Sequence, residues 1–426
     1  MLRLEDLARL RREGRPRGMA SVCSAHPLVL RAALRHGLRT GAPVLIEATC
    51  NQVNHRGGYT GMTPADFAAL VRRIAAEEGC PPGQLLLGGD HLGPNPWRAL
   101  PAEAAMAEAA RMVAAYVAAG FSKIHLDTSM GCAGEPAALE DATTARRAAR
   151  LARIADETAR SHGLAPPRFI LGTEVPPPGG ADHALDSVAP TAPDAARATI
   201  AIHHETFAQE GLEDAFDRVL AFVVQPGVEF GNRNVALYDR TRARPLTAVL
   251  AEEPGLVFEA HSTDYQGPGP LAALVEDGFP ILKVGPELTF VLREALYALD
   301  LIATELVPGY GTRPLAATME RVMRDRPADW QRHYPGSAAE QHLLRHYSLS
   351  DRIRYYWPDP EARQAVDALA AALAGRRVPL PLWRQFLPAA EDHADRPLDP
   401  EALLIERVTA SLAIYHAACH PDERKG

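Results

Sequence analysis

The chain has 426 residues, 47% of them hydrophobic, and 53 acidic against 45 basic side chains leave a net charge of −8. That length supports a large core, and the acidic balance excludes the basic footprint of a nucleic-acid or anionic-membrane binder. Five cysteines without a CxxC pair, no apolar leader over Met1 to Gly18 and no membrane-length apolar stretch point to a reduced, cytoplasmic protein.

Eight short apolar segments alternate with amphipathic runs. The first, Met19–Cys23, leads into Ser24-Ala25-His26-Pro27. The second, Pro43–Ala48, carries Glu47 and opens a loop from Thr49 to Met62 that holds Asn51, Gln52, Asn54 and several glycines. Such a loop offers the amide donors and acceptors a polyol needs, or is an ordinary Gly-rich connection. A helical run over Pro64–Glu78 precedes Gln84–Gly89, which ends in Asp90-His91 and breaks at Gly93-Pro94. After the run Ala102–Ala119 comes Lys123–Asp127, with His125 and Asp127. The run Ala142–His162 precedes Arg168–Glu174, followed by a Pro176–Gly180 stretch that reads as a lid hinge or a structural loop. Beyond Ala196–Glu210, Val219–Gln225 ends in Gln225 and, after a Pro-Gly turn, Glu229. Gly255–Ala260 is followed by His261, Thr263 and Asp264, and Pro280–Val284 contains Lys283.

Continuous apolar strands alternating with helices imply parallel pairing with both faces covered. Eight units in about 300 residues match a (β/α)8 TIM barrel. The alternative, a doubly wound sheet, calls for a Gly-rich phosphate turn after its first strand, where this chain has Ser24 to Pro27. Residues 1–300 are therefore expected to form the barrel and 301–426 a helical C-terminal extension. A helical run over Arg293–Leu306 crosses into the extension, which holds further runs over Ala316–Arg324, Gln341–His346, Pro360–Ala374 and Glu401–His416 and aromatics that include Trp330, Trp357 and Trp383. It packs beneath the barrel, covers its mouth or forms an interface, and aromatic-rich helices suit a homo-oligomer.

In a parallel barrel the strand-end polar groups converge on the C-terminal mouth, where catalytic residues sit. Those groups are Ser24, His26, Glu47, Asn51, Gln52, Asp90, His91, His125, Asp127, Glu174, Gln225, His261, Thr263, Asp264 and Lys283. Imidazoles and carboxylates without a thiolate suit Zn²⁺, Mn²⁺ or a similar divalent ion. Each group also has a plainer reading, as a helix cap or loop anchor. Asp90 and His91 point to opposite sides of an ideal strand, so only one faces the axis unless the chain turns there. His125 lies deeper than Asp127 on the same face and reads as a core-layer or orienting group. Glu259 can orient the His261 ring, Gln225 to Glu229 can be a simple turn, and Glu47 positions substrate or braces the barrel. What outweighs the single plain readings is recurrence at equivalent places on many strands.

The chain resembles the tagatose-bisphosphate aldolase accessory-subunit family, GatZ/KbaZ, over nearly its whole length. The shared wording is SVCSAHPLVL from Ser21, LIEATCNQVN from Leu45, GGYTGMTPADF from Gly57, GGDHLGPN from Gly88 and GFSKIHLDTSM from Gly120. It continues with GTEVPPPGG from Gly172, VVQPGVEF from Val223, EAHSTDYQ from Glu259, ILKVGPELTF from Ile281 and YSLSDRIRYYWP from Tyr347. The resemblance implies a class II aldolase-like barrel that uses a divalent metal on ketohexose substrates. It implies Asp90 as acid/base and His91 and His261 as metal ligands. Among the strand-end carboxylates, Glu174 or Asp127 completes the metal site, and Asp90 or Asp127 serves as the base, so that Asp90, Asp127 and Glu174 are the candidate catalytic carboxylates. Ser24, His26, Glu47, Asn51, Gln52, Gln225, Thr263, Asp264 and Lys283 are then the substrate contacts. Class II aldolases carry another histidine where this chain has Gln225. Their Gly-rich phosphate loop is replaced by Ser262-Thr263-Asp264-Tyr265, whose carboxylate disfavours a phosphate dianion there.

Two functions follow from the resemblance. One is a metal-dependent tagatose/fructose enzyme that epimerises C4 by opening and re-forming the C3–C4 bond. The other is a non-catalytic stabilising partner of a class II tagatose-1,6-bisphosphate aldolase chain in galactitol or N-acetylgalactosamine catabolism. The dense set of polar groups favours the enzyme, because buried charges without a ligand are costly. A sugar-phosphate kinase is disfavoured, since no GxxxxGK[ST] loop is present.

Overall fold

Every apolar segment read from the sequence becomes a strand in the structure, a computed structural model that describes residues 1–172 and 188–421. The strands are β1 (Met19–Val22), β2 (Val44–Thr49), β3 (Leu85–Leu92), β4 (Lys123–Leu126), β5 (Arg168–Gly172), β6 (Val219–Val223), β7 (Glu229–Phe230), β8 (Val235–Ala236), β9 (Val257–Ala260) and β10 (Ile281–Val284). Eight of them close in the order β1-β10-β9-β6-β5-β4-β3-β2, all parallel, with helices outside: a TIM barrel. The antiparallel pair β7–β8 is an insertion between β6 and β9. β3 does not stop at Gly89 but continues through Asp90 and His91, and its register with β4 slips between Gly89 and Leu92.

Alternation along the strands stacks the barrel interior in layers. At the bottom, Leu45, Ile170, Val257 and Ile281 meet Leu4 and Leu7 of the N-terminal segment, which plug the floor. One step up lies a layer of charge. The Lys123 ammonium is 2.5 Å from Glu47 Oε1 and 2.7 Å from Glu259 Oε2, and Lys283 is 3.0 Å from Glu47 Oε2. Lys123, Glu47 and Glu259 have no solvent exposure, a placement tolerable only because each charge is met by its opposite. Gly88 makes space for this layer, since a Cβ there would press on the Glu47 side chain. The mouth lies above.

The C-terminal helices pack on the wall of the barrel and over its mouth. Helix Pro400–Cys419 lies against helices Pro27–Thr40, Pro268–Asp277 and Pro286–Leu306, and so covers the seam where β1 meets β10. It is long and apolar enough to cross a bilayer, yet half of it is buried within the protein, as a core helix must be. The segment Arg352–Tyr356 reaches the mouth. There Asn51 Nδ2 donates to the Tyr355 hydroxyl (3.4 Å), and Tyr265 Oη donates to the Leu349 carbonyl (2.7 Å). Part of the extension thus lies over the mouth.

Candidate active site

His91 resolves the parity problem of its strand. Its φ of 51° lies in the left-handed region, which a side chain other than glycine seldom occupies and which marks a functional constraint. With the register slip, this turn brings both Asp90 and His91 to the mouth. Gly93 permits the close approach of the next strand, because a Cβ there would overlap the Asp127 carbonyl. Asp90, His91, His125 and His261 are all buried, and their ligand atoms lie within 4.8 Å of one another.

Carboxylates hold two of the rings. His91 Nδ1 pairs with Asp127 Oδ2 (2.7 Å) and His261 Nε2 with Glu259 Oε1 (2.9 Å). With those nitrogens donating, His91 Nε2 and His261 Nδ1 remain as lone pairs, the orientation metal-binding histidines adopt. His125 Nδ1 accepts the His91 backbone N–H (3.1 Å), while its Nε2 is buried without a hydrogen-bond partner. Burial, assisted by the other imidazoles, lowers His125 to about 4 and His261 to about 3, so both rings are neutral at pH 7. Burial works against ionisation of Asp127 and Glu259. The His91 hydrogen bond overrides it for Asp127, and Lys123 together with His261 for Glu259, holding both below the usual carboxylate range. The free lone pairs of His91 Nε2 and His261 Nδ1, beside the Asp90 carboxylate, form a donor set that fits a divalent cation, while His125, whose Nδ1 accepts the backbone N–H, carries its proton on Nε2 next to them.

Asp90 is held from two sides. Thr49 Oγ1 donates to its Oδ2 (2.7 Å), and the Lys283 ammonium contacts its Oδ1. These groups open onto a cleft lined also by Asn51, Gln52, Tyr59, Asp264, Arg354 and Tyr355.

The expected site residues separate by position. Asn51, Gln52, Asp90, His91, His261, Asp264 and Lys283 line the cleft. Asp127 stands behind His91, and Glu47 lies in the charged layer beneath. Ser24 and His26 line a neighbouring cavity, where His26 Nδ1 accepts the Leu28 N–H (3.3 Å) and caps helix Pro27–Thr40. Thr263 Oγ1 donates to the Lys283 carbonyl (2.6 Å). Gln225 Oε1 accepts the Gly227 and Val228 N–H groups (2.8 and 2.9 Å), closing a turn. Glu174 and the Pro176–Gly180 stretch lie outside the described residues. Asp264 Oδ1 accepts the N–H groups of Gly285 (3.0 Å) and Glu287 (2.8 Å) at the start of helix Pro286–Leu306. Burial and the nearby Glu287 push Asp264 up to about 7.

Sequence reasoning missed Lys123, Thr49, Arg354 and Tyr355. A signal existed for the first of them. Lys123, His125 and Asp127 alternate along one strand, so a lysine inside an apolar segment shares the inward face with the histidine. Arg354 and Tyr355 gave no such signal, because only the tertiary fold carries them to the mouth.

Comparison with known proteins agrees with this geometry. The family described as D-tagatose-1,6-bisphosphate aldolase subunit GatZ/KbaZ-like matches residues 4–420. A D-tagatose 6-phosphate 4-epimerase of Agrobacterium fabrum (strain C58 / ATCC 33970) is 62% identical over 415 residues, covering 97% of this chain and 98% of that one. The crystal structure of a probable tagatose 6-phosphate kinase from Sinorhizobium meliloti 1021 has 54% identity and a TM-score of 0.86, covering 95% of this chain and all of that one.

Proposed function

From the premise that this chain belongs to the GatZ/KbaZ-like family, we propose that it is a metal-dependent enzyme that interconverts tagatose and fructose phosphates at C4. The observation that carries this reading is the cluster of three buried histidines beside Asp90, at the mouth of the barrel. His91 and His261 would hold a divalent ion, Zn²⁺ or Mn²⁺, with His125 packed beside them, and Asp90 faces the substrate. Bound there, the ion would stabilise negative charge developing on the sugar's C2 oxygen.

Asp90 is the carboxylate suited to proton transfer, because Asp127 is committed to His91 and does not line the cleft. It takes the C4 hydroxyl proton as the C3–C4 bond breaks. The bonding electrons pass to the C2–C3 enediolate, and C4 becomes an aldehyde. Rotation of that aldehyde presents its other face, the C3–C4 bond re-forms, and Asp90 returns the proton to the C4 oxygen with inverted configuration. Lys283, next to Asp90, holds that carboxylate in place. Asn51 and Gln52 serve the sugar hydroxyls. The reaction belongs in the cytoplasm, with a homo-oligomer as the working assembly.

The test is incubation of the purified protein with fructose 6-phosphate and tagatose 6-phosphate, with and without chelator. Metal-dependent interconversion, reduced at least about 100-fold in His91→Ala and His261→Ala, is the expected result. No turnover by the wild-type chain, combined with activation of an added class II aldolase chain, would replace this reading with the stabilising-partner one.

A further inference from the structure

We infer that Arg354 is the phosphate anchor of this site and that it retains the aldehyde fragment while the C3–C4 bond is open. The inference rests on the sugar-phosphate reading above and adds which residue holds the phosphate, and where.

Among the described residues, two cations other than imidazole line the cleft, Lys283 and Arg354. Lys283 is occupied by Asp90, by Glu47 at 3.0 Å and by Glu259 at 3.8 Å, so it cannot neutralise a dianion. Arg354 forms no ion pair with a carboxylate among the described residues. Its Nη1 donates to the Ser350 carbonyl and to the Asp351 carbonyl (3.1 Å), and its Nη2 to the Tyr355 hydroxyl (3.2 Å). A guanidinium has five N–H donors, so Nε–H and one Nη2–H are left for a ligand. Together they form a fork that matches a phosphate bidentately.

The position is built rather than incidental. Arg354 lies over the Tyr355 ring, 4.6 Å from its centroid. Tyr355 is in turn fixed by Asn51 and by edge contact with Tyr59, ring centroids 4.5 Å apart. The nearest acidic residue in sequence, Asp351, is engaged by Thr289 (2.7 Å) and Arg293 (3.3 Å). At the start of helix Pro286–Leu306 a phosphate would meet Asp264, whose carboxylate already accepts the helix's N–H groups. The donors at that end of the cleft are already taken, whereas the Arg354 fork is open to an anion.

The consequence concerns C4 chemistry directly. Opening the C3–C4 bond of a 6-phosphate leaves the phosphate on the aldehyde fragment. An anchor at that phosphate lets the aldehyde turn over without leaving, so the bond re-forms instead of a triose phosphate being released.

The test uses the metal-loaded full chain and its Arg354→Met and Arg354→Lys variants. Binding of fructose 6-phosphate, fructose and inorganic phosphate is measured by calorimetry, and turnover and triose phosphate release are followed on the 6-phosphates. We expect Arg354→Met to weaken fructose 6-phosphate about 100-fold, to abolish phosphate binding and to leave fructose binding within about 2-fold. Arg354→Lys falls between, and released triose phosphate rises per epimerisation. Equal losses for fructose and its phosphate in both variants, or no loss for either, would overturn the anchor. A wild-type chain that binds the 6-phosphate through Arg354 but turns nothing over leaves the anchor standing and removes the enzymatic reading instead.

Discussion

Lys123 is a cation with no solvent contact, set between two carboxylates that have none either. Burial disfavours its charge, but Glu259 and Glu47 outweigh that and raise its pKa above the usual lysine value. Removing the ammonium leaves Glu47 and Glu259 sharing Lys283, at 3.0 and 3.8 Å, as their remaining ammonium, and breaking such a buried arrangement costs about 3–5 kcal/mol. Lys123→Met is therefore expected to lose stability on that scale in urea unfolding. The double variant Lys123→Met/Glu259→Gln is expected to recover part of the loss, and a double variant no more stable than the single one would show that the charges are not coupled. Position 123 also shows where sequence reading stops at the single-residue scale. A lysine in an apolar strand is visible, but the two carboxylates that make it tolerable come from strands remote in the chain.

The eight barrel strands were legible because each is a continuous apolar run ending in a polar group. The pair β7–β8 was not, since two-residue strands carry no periodicity. The extension of β3 through His91 was hidden for a different reason: a left-handed residue is normally announced by glycine, and here the neighbouring Gly93 makes the space instead. The C-terminal helices were visible as amphipathic runs, but such a pattern predicts a buried face and not the partner it meets. For helix Pro400–Cys419 the partner is the mouth loop and the helix behind it. Tyr415 Oη donates to the Thr263 carbonyl (2.8 Å) and to Glu287 (2.9 Å), and Ser411 Oγ donates to Glu287 (2.6 Å). Glu287 in turn accepts the Tyr265 N–H (2.6 Å). Tyr415→Phe leaves buried acceptors short of a donor and is expected to cost about 1–3 kcal/mol in chemical denaturation. An effect within 0.5 kcal/mol, roughly the size of a neutral surface change, would show that this link is slack.

At the scale of the whole molecule, two helices of the C-terminal extension are tied together by a charged link. Glu320 of helix Pro314–Asp325 receives Arg345 Nε (2.8 Å) and Nη2 (2.5 Å) from helix Ala338–Tyr347, with His346 Nε2 3.0 Å away. Burial opposes its charge, but Arg345 prevails and brings Glu320 down to about 2. A carboxylate depressed on folding contributes stability above its unfolded value near 4.5, and that contribution is lost as pH falls toward 2. Glu320→Gln should therefore lower stability at neutral pH and flatten the acid limb between pH 5 and 2. An unchanged limb in pH-dependent unfolding would exclude this pair from acid denaturation.

The seam between β1 and β10 carries one further implication, for the order in which the molecule is made. Both strands are synthesised well before helix Pro400–Cys419, whose Cys419 carbonyl receives the Gly18 N–H (2.9 Å) beside β1. A nascent chain thus holds all eight staves of the barrel while the latch across their join is still missing. Until the latch arrives, apolar surface on the neighbouring helices stays open to other chains, the condition in which partly folded proteins aggregate. Cellular yield should then depend on how long a chain waits between the last stave and the latch, a quantity set by the ribosome rather than by the finished structure.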